Sequence, residues 1–167
     1  LAALITALHR CAQRRLPVAV GAVQPQQAAV CDLFPTILAL AGAANPAGHA
    51  VDGAPLDTLL AGRPDPSRGE EFLMHYPHAP HRSNYFTSFR KGEWKVIYHY
   101  IPSEASENSH YQLYHLAKDP FEQANLAAKE PAKLREMMQG LIDGLERQGA
   151  VYPVDKDTGA PVKPVLP

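Results

Sequence analysis

Residues 85–100 read Tyr-Phe-Thr-Ser-Phe-Arg-Lys-Gly-Glu-Trp-Lys-Val-Ile-Tyr-His-Tyr, and this stretch decides the fold. It is rich in the aromatic and β-branched residues that are typical of strands, on both sides of a charged segment that contains Gly92. Before that segment, Tyr85, Thr87 and Phe89 alternate with Phe86 and Ser88. After it, Trp94, Val96, Tyr98 and Tyr100 alternate with Lys95, Ile97 and His99. Because side chains in a strand repeat every two residues, the stretch predicts a β-hairpin with its turn at residues 90–93.

Two more candidate strands lie on either side of the hairpin. Phe72, Met74 and Tyr76 alternate with Leu73 and His75. The second candidate, Tyr111–Leu116, follows a polar loop over residues 102–110. Successive strands that are joined by short connections favour antiparallel pairing in chain order. The sequence therefore predicts a four-stranded antiparallel meander.

The clearest helical pattern begins after Pro131, since proline is well suited to the first turn of a helix. Apolar residues then recur at the spacing of one helix face: Leu134, Met137, Met138, Leu141, Ile142 and Leu145. Such a face must be covered, and the sheet is the surface of suitable size. We therefore expect an α+β fold, with a long C-terminal helix on the sheet and a proline-rich tail from Val151 extended over the surface.

Helical patterns also occupy the N-terminal part of the chain. Leu1, Leu4, Ile5 and Leu8 predict an amphipathic helix over residues 1–14, and a short β-leaning run, Leu16–Val20, follows. Asp32 is expected to be the N-cap of a second helix, Leu33–Ala41, which Gly42 ends. Residues 43–69 resemble a long connection with one helical turn at Leu56–Leu60.

We expect three segments along the chain. Residues 1–20 would hold the first helix and a short strand, and residues 21–69 would hold the second helix and the long connection. Residues 70–167 would form the α+β subdomain with its tail.

Composition excludes several classes of function. Lys and Arg number 16 against 17 Asp and Glu, and a net charge of −1 predicts no binding to nucleic acid or to an anionic membrane. No apolar run approaches the roughly 20 residues of a membrane span. The two cysteines, Cys11 and Cys31, have neither disulfide-framework nor zinc spacing, so they do not indicate a compartment.

A set of motifs on these elements resembles the C-terminal region of sulfatases. The segments are Asp32-Leu-Phe-Pro-Thr-Ile-Leu-Ala-Leu-Ala-Gly42, Asp52-Gly-Ala-Pro-Leu56, Phe72-Leu-Met-His-Tyr-Pro-His78, Ser88-Phe-Arg-Lys-Gly-Glu-Trp-Lys-Val-Ile97, Leu113-Tyr-His-Leu-Ala-Lys-Asp-Pro-Phe-Glu122 and Gly149-Ala-Val-Tyr-Pro153. Six motifs in the family's order over residues 15–167 make the resemblance specific. It implies a sulfuric ester hydrolase of the alkaline-phosphatase-like superfamily, with a four-stranded subdomain that a C-terminal helix covers.

The catalytic motifs of that family do not occur in these 167 residues. A complete sulfatase is expected to use formylglycine, made within a Cys/Ser-x-Pro-x-Arg motif, beside a calcium ion. Neither Cys11 nor Cys31 lies in such a motif, and Thr6 aligns where the catalytic Lys belongs. We therefore transfer no catalytic residue, metal ligand or cofactor to this chain. It begins at Leu1 without Met, and we expect a C-terminal fragment that is inactive alone.

One substrate contact follows from the resemblance. His75, Tyr76 and His78 would lie at a strand end that faces the catalytic domain and would help bind substrate in the complete enzyme. The alternative is a polar strand end whose hydrogen bonds stay within the subdomain. A metal site at these histidines is disfavoured, because Pro77 and Pro80 prevent the helix that their spacing would require.

The expected partner is the catalytic domain of the parent sulfatase, or a second copy of the chain in a homodimer. The alternative function is a stand-alone, non-catalytic binding module that derives from a sulfatase. Asp119, Glu122 and Asn125 are expected to form a turn in which side chains accept backbone N–H groups.

Overall fold

The computed structural model describes residues 18–77 and 85–167. The helix expected over residues 1–14 therefore lies outside the described residues. The chain divides into two compact units, Leu1–Gly69 and Glu70–Pro167, which we call the first and the second unit. Three α-helices lie in the described residues: α1 is Leu33–Ala41, α2 is Asp57–Leu60 and α3 is Pro131–Arg147.

The second unit contains one four-stranded sheet. Its strands are β1 (Glu71–Tyr76), β2 (Phe86–Lys91), β3 (Trp94–His99) and β4 (Tyr111–His115). All neighbours are antiparallel and their order follows the chain. Lys91 pairs with Trp94 at the predicted hairpin, where Gly92 adopts a positive φ of 57°. The meander is confirmed, because alternation and turn chemistry are both local signals.

Helix α3 covers one face of this sheet and confirms the predicted α+β class. Its apolar stripe is buried apart from the half-buried Ile142. Phe89, Val96 and Leu113 come from three successive strands to meet it, and each is at most 1% exposed. The Cβ of an alanine at Gly140 would lie 2.7 Å from a ring carbon of Phe89, so glycine permits this close packing.

In the loop after β4, Asp119 and Asn125 accept backbone N–H groups, as the sequence predicted. Asp119 accepts the N–H of Ala124 at 2.8 Å. The side-chain oxygen of Asn125 accepts the N–H of Leu113 at 3.1 Å and that of Ala127 at 3.0 Å. Lys95 of β3 donates to the carboxylate of Glu122 at 2.7 Å. The turn is thus tied to the sheet by polar contacts.

The C-terminal tail bends instead of running straight. Val154 pairs with Pro161, and the intervening turn is held by Asp155, whose carboxylate accepts the N–H groups of Asp157 and Thr158. Tyr111 donates its hydroxyl to the carbonyl of Val165 at 3.1 Å. The expectation of an extended tail is therefore corrected: backbone and side-chain hydrogen bonds fold it against its own unit.

In the first unit, helix α1 has the predicted bounds and ends at Gly42 with a φ of 65°. Asp32 occupies the N-cap position of α1, but its side chain accepts no N–H group of that helix. Its carboxylate accepts the N–H groups of Ala29 at 2.8 Å and Ala54 at 2.9 Å, and it pairs with Arg68 at 2.6 Å. The cap prediction is wrong because partners distant in sequence compete for the carboxylate.

Two further expectations concern the segments around α1. Val18–Val20, from the β-leaning run, form no strand, and Val20 begins a turn. The helical turn of the long connection is confirmed as α2, with Leu59 buried. None of the helices in the described ranges is long and apolar enough to cross a membrane.

Candidate functional site

His75 lies on β1, on the face of the sheet that α3 covers, and both of its ring nitrogens have protein partners. Nδ1 lies 2.7 Å from the hydroxyl of Thr87, and Nε2 lies 2.8 Å from the carbonyl oxygen of Val151. A carbonyl only accepts, so Nε2 carries the proton. In neutral His75, Nδ1 is then the acceptor of the Thr87 hydroxyl. These contacts tie the start of the tail to the sheet.

Tyr100 extends this network into the core. Its hydroxyl lies 2.9 Å from that of Thr87, which is fully buried, so Tyr100 donates to Thr87 while Thr87 donates to His75. Burial raises the pKa of Tyr100 to about 12, against the smaller opposing effect of the hydrogen bond to Thr87. The phenol therefore stays protonated at neutral pH. The hydrogen bonds thus run in one direction, from Tyr100 to Thr87 and from Thr87 to His75.

Tyr76 ends β1 and lies on the opposite face. Its ring stacks on that of Phe86, with centroids 5.6 Å apart and an interplanar angle of 27°. His78 lies outside the described residues. The structure thus separates His75 from Tyr76 across the sheet, since consecutive strand residues point to opposite faces. Substrate binding by His75, Tyr76 and His78 stays a prediction.

A groove of about 820 Å³ lies beside this strand end, between the sheet and the tail. We call it the tail groove. Its wall includes Tyr85, Tyr100, Ile101, Tyr152, Lys156 and Asp157, with Pro77 at the end of β1. Ligand pockets in proteins typically measure roughly 300–1,000 Å³ and combine aromatic walls with a few polar groups. The tail groove has the size and the lining of a ligand pocket.

The tail wall of the groove is anchored on both sides. Val151 precedes Tyr152 and is the residue that His75 binds. The rings of Tyr152 and His75 meet edge to face at a centroid distance of 6.0 Å. Burial, followed by the charge of Glu146, raises the pKa of Tyr152, so this hydroxyl also stays protonated at neutral pH. These contacts fix the position of Tyr152 in the groove wall.

The charges at the tail rim are mixed. Lys156 stands between Asp155 and Asp157, and the pKa of Asp155 is lowered by hydrogen bonds from Thr158 and Asp157. A second cation is close by, because the ammonium group of Lys163 lies 5.4 Å from the centre of the Tyr152 ring. The tail side of the groove therefore combines two cations with two carboxylates.

The described residues do not fit the cofactors expected in a complete sulfatase. They contain no group of three or more His, Cys, Asp or Glu side chains that could hold a metal ion. Cys31, the one cysteine in the described ranges, is followed by Asp-Leu-Phe and so lacks the formylglycine motif. No catalytic step can be assigned to these residues.

The sequence interpretation missed Thr87, Tyr100 and Tyr152. Thr87 and Tyr100 were assigned to strands, and Tyr152 only to a motif before the tail. Val151 lies 76 residues from His75, and no local pattern predicts a contact over that separation. The one local signal for a structured tail was Tyr152 beside Pro153, at the point where the tail begins.

A protein-family model described as the C-terminal domain of N-sulphoglucosamine sulphohydrolase matches residues 13–148. An uncharacterized sulfatase of Schizosaccharomyces pombe is 32% identical over 120 residues, which are 66% of this chain and 20% of that protein. The chain thus spans about a fifth of this curated relative.

Two solved structures are similar to the described fold. A protein solved in complex with its substrate, D-glucosamine-2-N,6-O-disulfate, is 25% identical with a TM-score of 0.56. A protein of Bacteroides thetaiotaomicron, solved as a candidate sulfatase, is 27% identical with a TM-score of 0.55. In each case the match covers 71% of this chain and 24% of the other.

Proposed function

The chain belongs to the sulfatase family, in which it corresponds to the C-terminal domain, and from that premise we propose that it serves a sulfatase as a domain without catalytic activity of its own. The proposal is supported by the extent of the family match, which covers residues 13–148. The matched sequence contains no formylglycine motif. The domain would complete and shape the substrate site that a catalytic domain builds.

We further propose a sulfated amino sugar as the substrate of the complete protein. The matching family model is described by N-sulphoglucosamine sulphohydrolase, and a similar solved structure holds a glucosamine disulfate. The tail groove, beside the end of β1, supports a domain that contacts the sugar part of such a substrate. The sulfate chemistry would belong to formylglycine and calcium outside this chain.

Activity of the purified 167-residue chain tests the proposal. We expect no turnover of aryl sulfates or of glucosamine sulfates, with or without calcium, because the nucleophile and the metal carboxylates are missing from the sequence. Turnover that co-purifies with the chain, and disappears in a His75→Ala or His78→Ala variant, would contradict a non-catalytic domain. A variant of the exposed Phe121, Phe121→Ala, is the matched control.

The DNA upstream of the codon for Leu1 tests the parent enzyme. An open frame that encodes Cys/Ser-x-Pro-x-Arg in register supports a longer sulfatase. A stop codon or a change of frame would contradict it and support the second candidate, a stand-alone self-associating module. That candidate is favoured by one observation: helix α1 leaves Leu33, Phe34 and Ile37 exposed.

A further inference from the structure

The two outer strands of the sheet differ in how far they are covered. Strands β1 and β4 are both edges, because the order of the strands follows the chain. Strand β4 contains three buried residues, Gln112, Leu113 and Tyr114. Among the four described strands, β1 is the one without a buried residue. The second unit therefore covers one edge of its sheet and leaves the other edge accessible.

The loop after β4 covers the outer edge of that strand with hydrogen bonds. The N–H of Leu113 donates to the side-chain oxygen of Asn125 at 3.1 Å, and the carbonyl of Leu113 accepts the N–H of Leu126 at 2.8 Å. The carbonyl of His115 accepts the N–H of Lys118 at 3.0 Å. The chain thus provides its own partner for the edge of β4, and no further strand is needed there.

Antiparallel pairing with β2 directs the backbone groups of every second residue of β1 away from the sheet. Gly92 donates its N–H to the carbonyl of Glu70 at 3.3 Å, where the register places these two residues opposite each other. The hydrogen-bonded pairs therefore continue at the even-numbered residues of β1. The N–H and C=O groups of Glu71, Leu73 and His75 point outwards, and we call them the open edge. Within the described residues, these six groups have no hydrogen-bond partner.

The composition of β1 does not protect the open edge from another strand. The strand contains neither Lys nor Pro, which proteins place on exposed edges to prevent pairing. Its one carboxylate, Glu71, is already paired with Lys91 at 3.0 Å and with Arg147 at 3.2 Å. The other residues are apolar or aromatic apart from His75, and Met74 is 45% exposed. An apolar edge without a cover is suited to accept a further strand through main-chain hydrogen bonds.

We propose that an extended segment of the upstream polypeptide adds to the open edge as a fifth strand of the sheet. The source of this segment rests on the proposed function: the matched residues are 20% of the curated relative, and the matching family model is a C-terminal domain. The incoming strand would bond the outward groups of Leu73 and His75 and pack apolar side chains beside Met74. It would hold the strand end for which substrate binding is predicted against the catalytic domain. A second copy of the chain is the competing occupant.

Hydrogen exchange of the β1 amides, measured residue by residue, tests the open edge in two proteins: the 167-residue chain and a longer polypeptide that the upstream frame encodes. In the 167-residue chain, the amides of Leu73 and His75 should exchange at least about a hundredfold faster than that of Met74, which is directed at β2. In the longer polypeptide, both should slow at least about tenfold. Slow exchange already in the 167-residue chain would assign the edge to a second copy and overturn the proposal. Equally fast exchange in both proteins would overturn it as well.

Variants of the longer polypeptide separate strand addition from simple burial. Leu73→Pro removes an outward N–H but no hydrogen bond to β2, and edge strands accept proline at such positions. The amide of His75 should then exchange within about twofold of its rate in the 167-residue chain. Because Leu73 also packs near Gly144, Met74→Lys provides a second test at an exposed side chain, and it should speed exchange at His75 at least about threefold. Phe121→Lys, at a site 81% exposed outside β1, is the matched control. Equal exchange of His75 in all three variants would contradict the proposal.

Two outcomes separate the added strand from the proposed function. If the longer polypeptide hydrolyses sulfated glucosamine while Leu73 and His75 exchange as fast as in the 167-residue chain, the strand proposal fails and the sulfatase proposal stands. If both amides are protected and no sulfate ester is hydrolysed, the strand proposal stands and the sulfatase proposal fails. A stop codon or a change of frame upstream of Leu1 would remove the source of the strand and overturn both.

Discussion

Helix α3 of the second unit buries five apolar side chains against a sheet, whereas helix α1 of the first unit leaves Leu33, Phe34 and Ile37 exposed by 44–62%. The buried polar residues of the two units differ in charge. In the first unit, Asp32 is 3% exposed and forms an ion pair with Arg68. In the second unit, the buried polar residues are uncharged: Thr87, Ser88, Ser106 and Gln112.

The difference concerns what each unit needs for stability. The second unit has a continuous core of its own, and burial of apolar surface is the main favourable term in folding. The first unit has a buried carboxylate, Asp32, which is bonded by two backbone N–H groups and by the side chain of Arg68. We propose that a partner covers its apolar helix face, since large apolar patches are seldom exposed on monomers. The following variants test this contrast.

The largest effect is expected in the core of the second unit. Leu141 is completely buried on α3, and Leu141→Ala removes methyl groups that the neighbours cannot replace. We expect a loss of about 2–5 kcal/mol in the free energy of unfolding. Denaturant unfolding followed by the fluorescence of Trp94, the one tryptophan of the chain, measures it. Leu166→Ala, at a site 37% exposed, is the control, and a loss below about 0.5 kcal/mol at Leu141 would contradict the docked helix.

In the first unit, we expect stability to depend on the buried charge of Asp32. Asp32→Asn removes the negative charge that pairs with Arg68 and replaces one of the two acceptor oxygens by an NH2 group. We expect a loss of about 2–3 kcal/mol, typical of hydrogen bonds to a buried charge. Hydrogen exchange at the amide of Ala54, which donates to Asp32, reports the effect locally. Unchanged protection of that amide would contradict the role given to Asp32.

The same carboxylate gives the first unit a pH dependence. Burial raises the pKa of Asp32, but hydrogen bonds from Ala54, Ala29 and Arg68, with the charge of Arg68, lower it further than burial raises it. The folded pKa lies below the unfolded value of about 3.9, so the stabilisation is present above that value and is lost as the pH falls through the folded pKa. Protection of Ala54 should therefore fall below about pH 4 in the wild type and change less in Asp32→Asn.

Two glycines of α3 give a smaller, paired effect. Alanine favours a helix over glycine by about 1 kcal/mol. At Gly140 the new Cβ would lie 2.7 Å from Phe89, which is 1% exposed and has no room to move, so Gly140→Ala should cost about 1–3 kcal/mol. At Gly144 the nearest atom is a methyl carbon of half-buried Leu73 at 3.3 Å, and Gly144→Ala should be neutral or stabilising. Equal effects of the two variants on the unfolding midpoint would contradict the packing of α3.

Local patterns explain which parts of the fold could be predicted. The strands, the hairpin turn and the apolar stripe of α3 repeat at two or 3.6 residues, so a short window of sequence contains the whole signal. The bounds of α1 followed from an apolar run that ends at Gly42. In each case the prediction required only neighbours in the chain.

Contacts between residues that are distant in sequence explain which features could not be predicted. Asp32 has the residue type and position of a helix cap, yet Arg68 lies 36 residues and Ala54 22 residues away. The tail groove depends on the meeting of His75 with Val151, which a sequence window cannot contain. The strand end for which substrate binding is predicted lies beside this groove, but no local pattern linked it to Tyr100 and Tyr152 in the groove wall.

The smallest effect on stability, and the most direct test of the exposed face, is expected at Ile37. The side chain is 62% exposed on α1, so Ile37→Lys should change the free energy of unfolding by less than about 0.5 kcal/mol. An added charge in the centre of an apolar contact would nevertheless oppose association, because it would lose its water there. In the isolated chain we expect a homodimer at micromolar concentration, and sedimentation velocity should show Ile37→Lys shifted to the monomer. Lys substituted for Phe121, which is 81% exposed in the second unit, is the matched control and should leave the dimer intact. A wild-type chain that sediments as a soluble monomer would leave the catalytic domain of a parent sulfatase as the partner of this face.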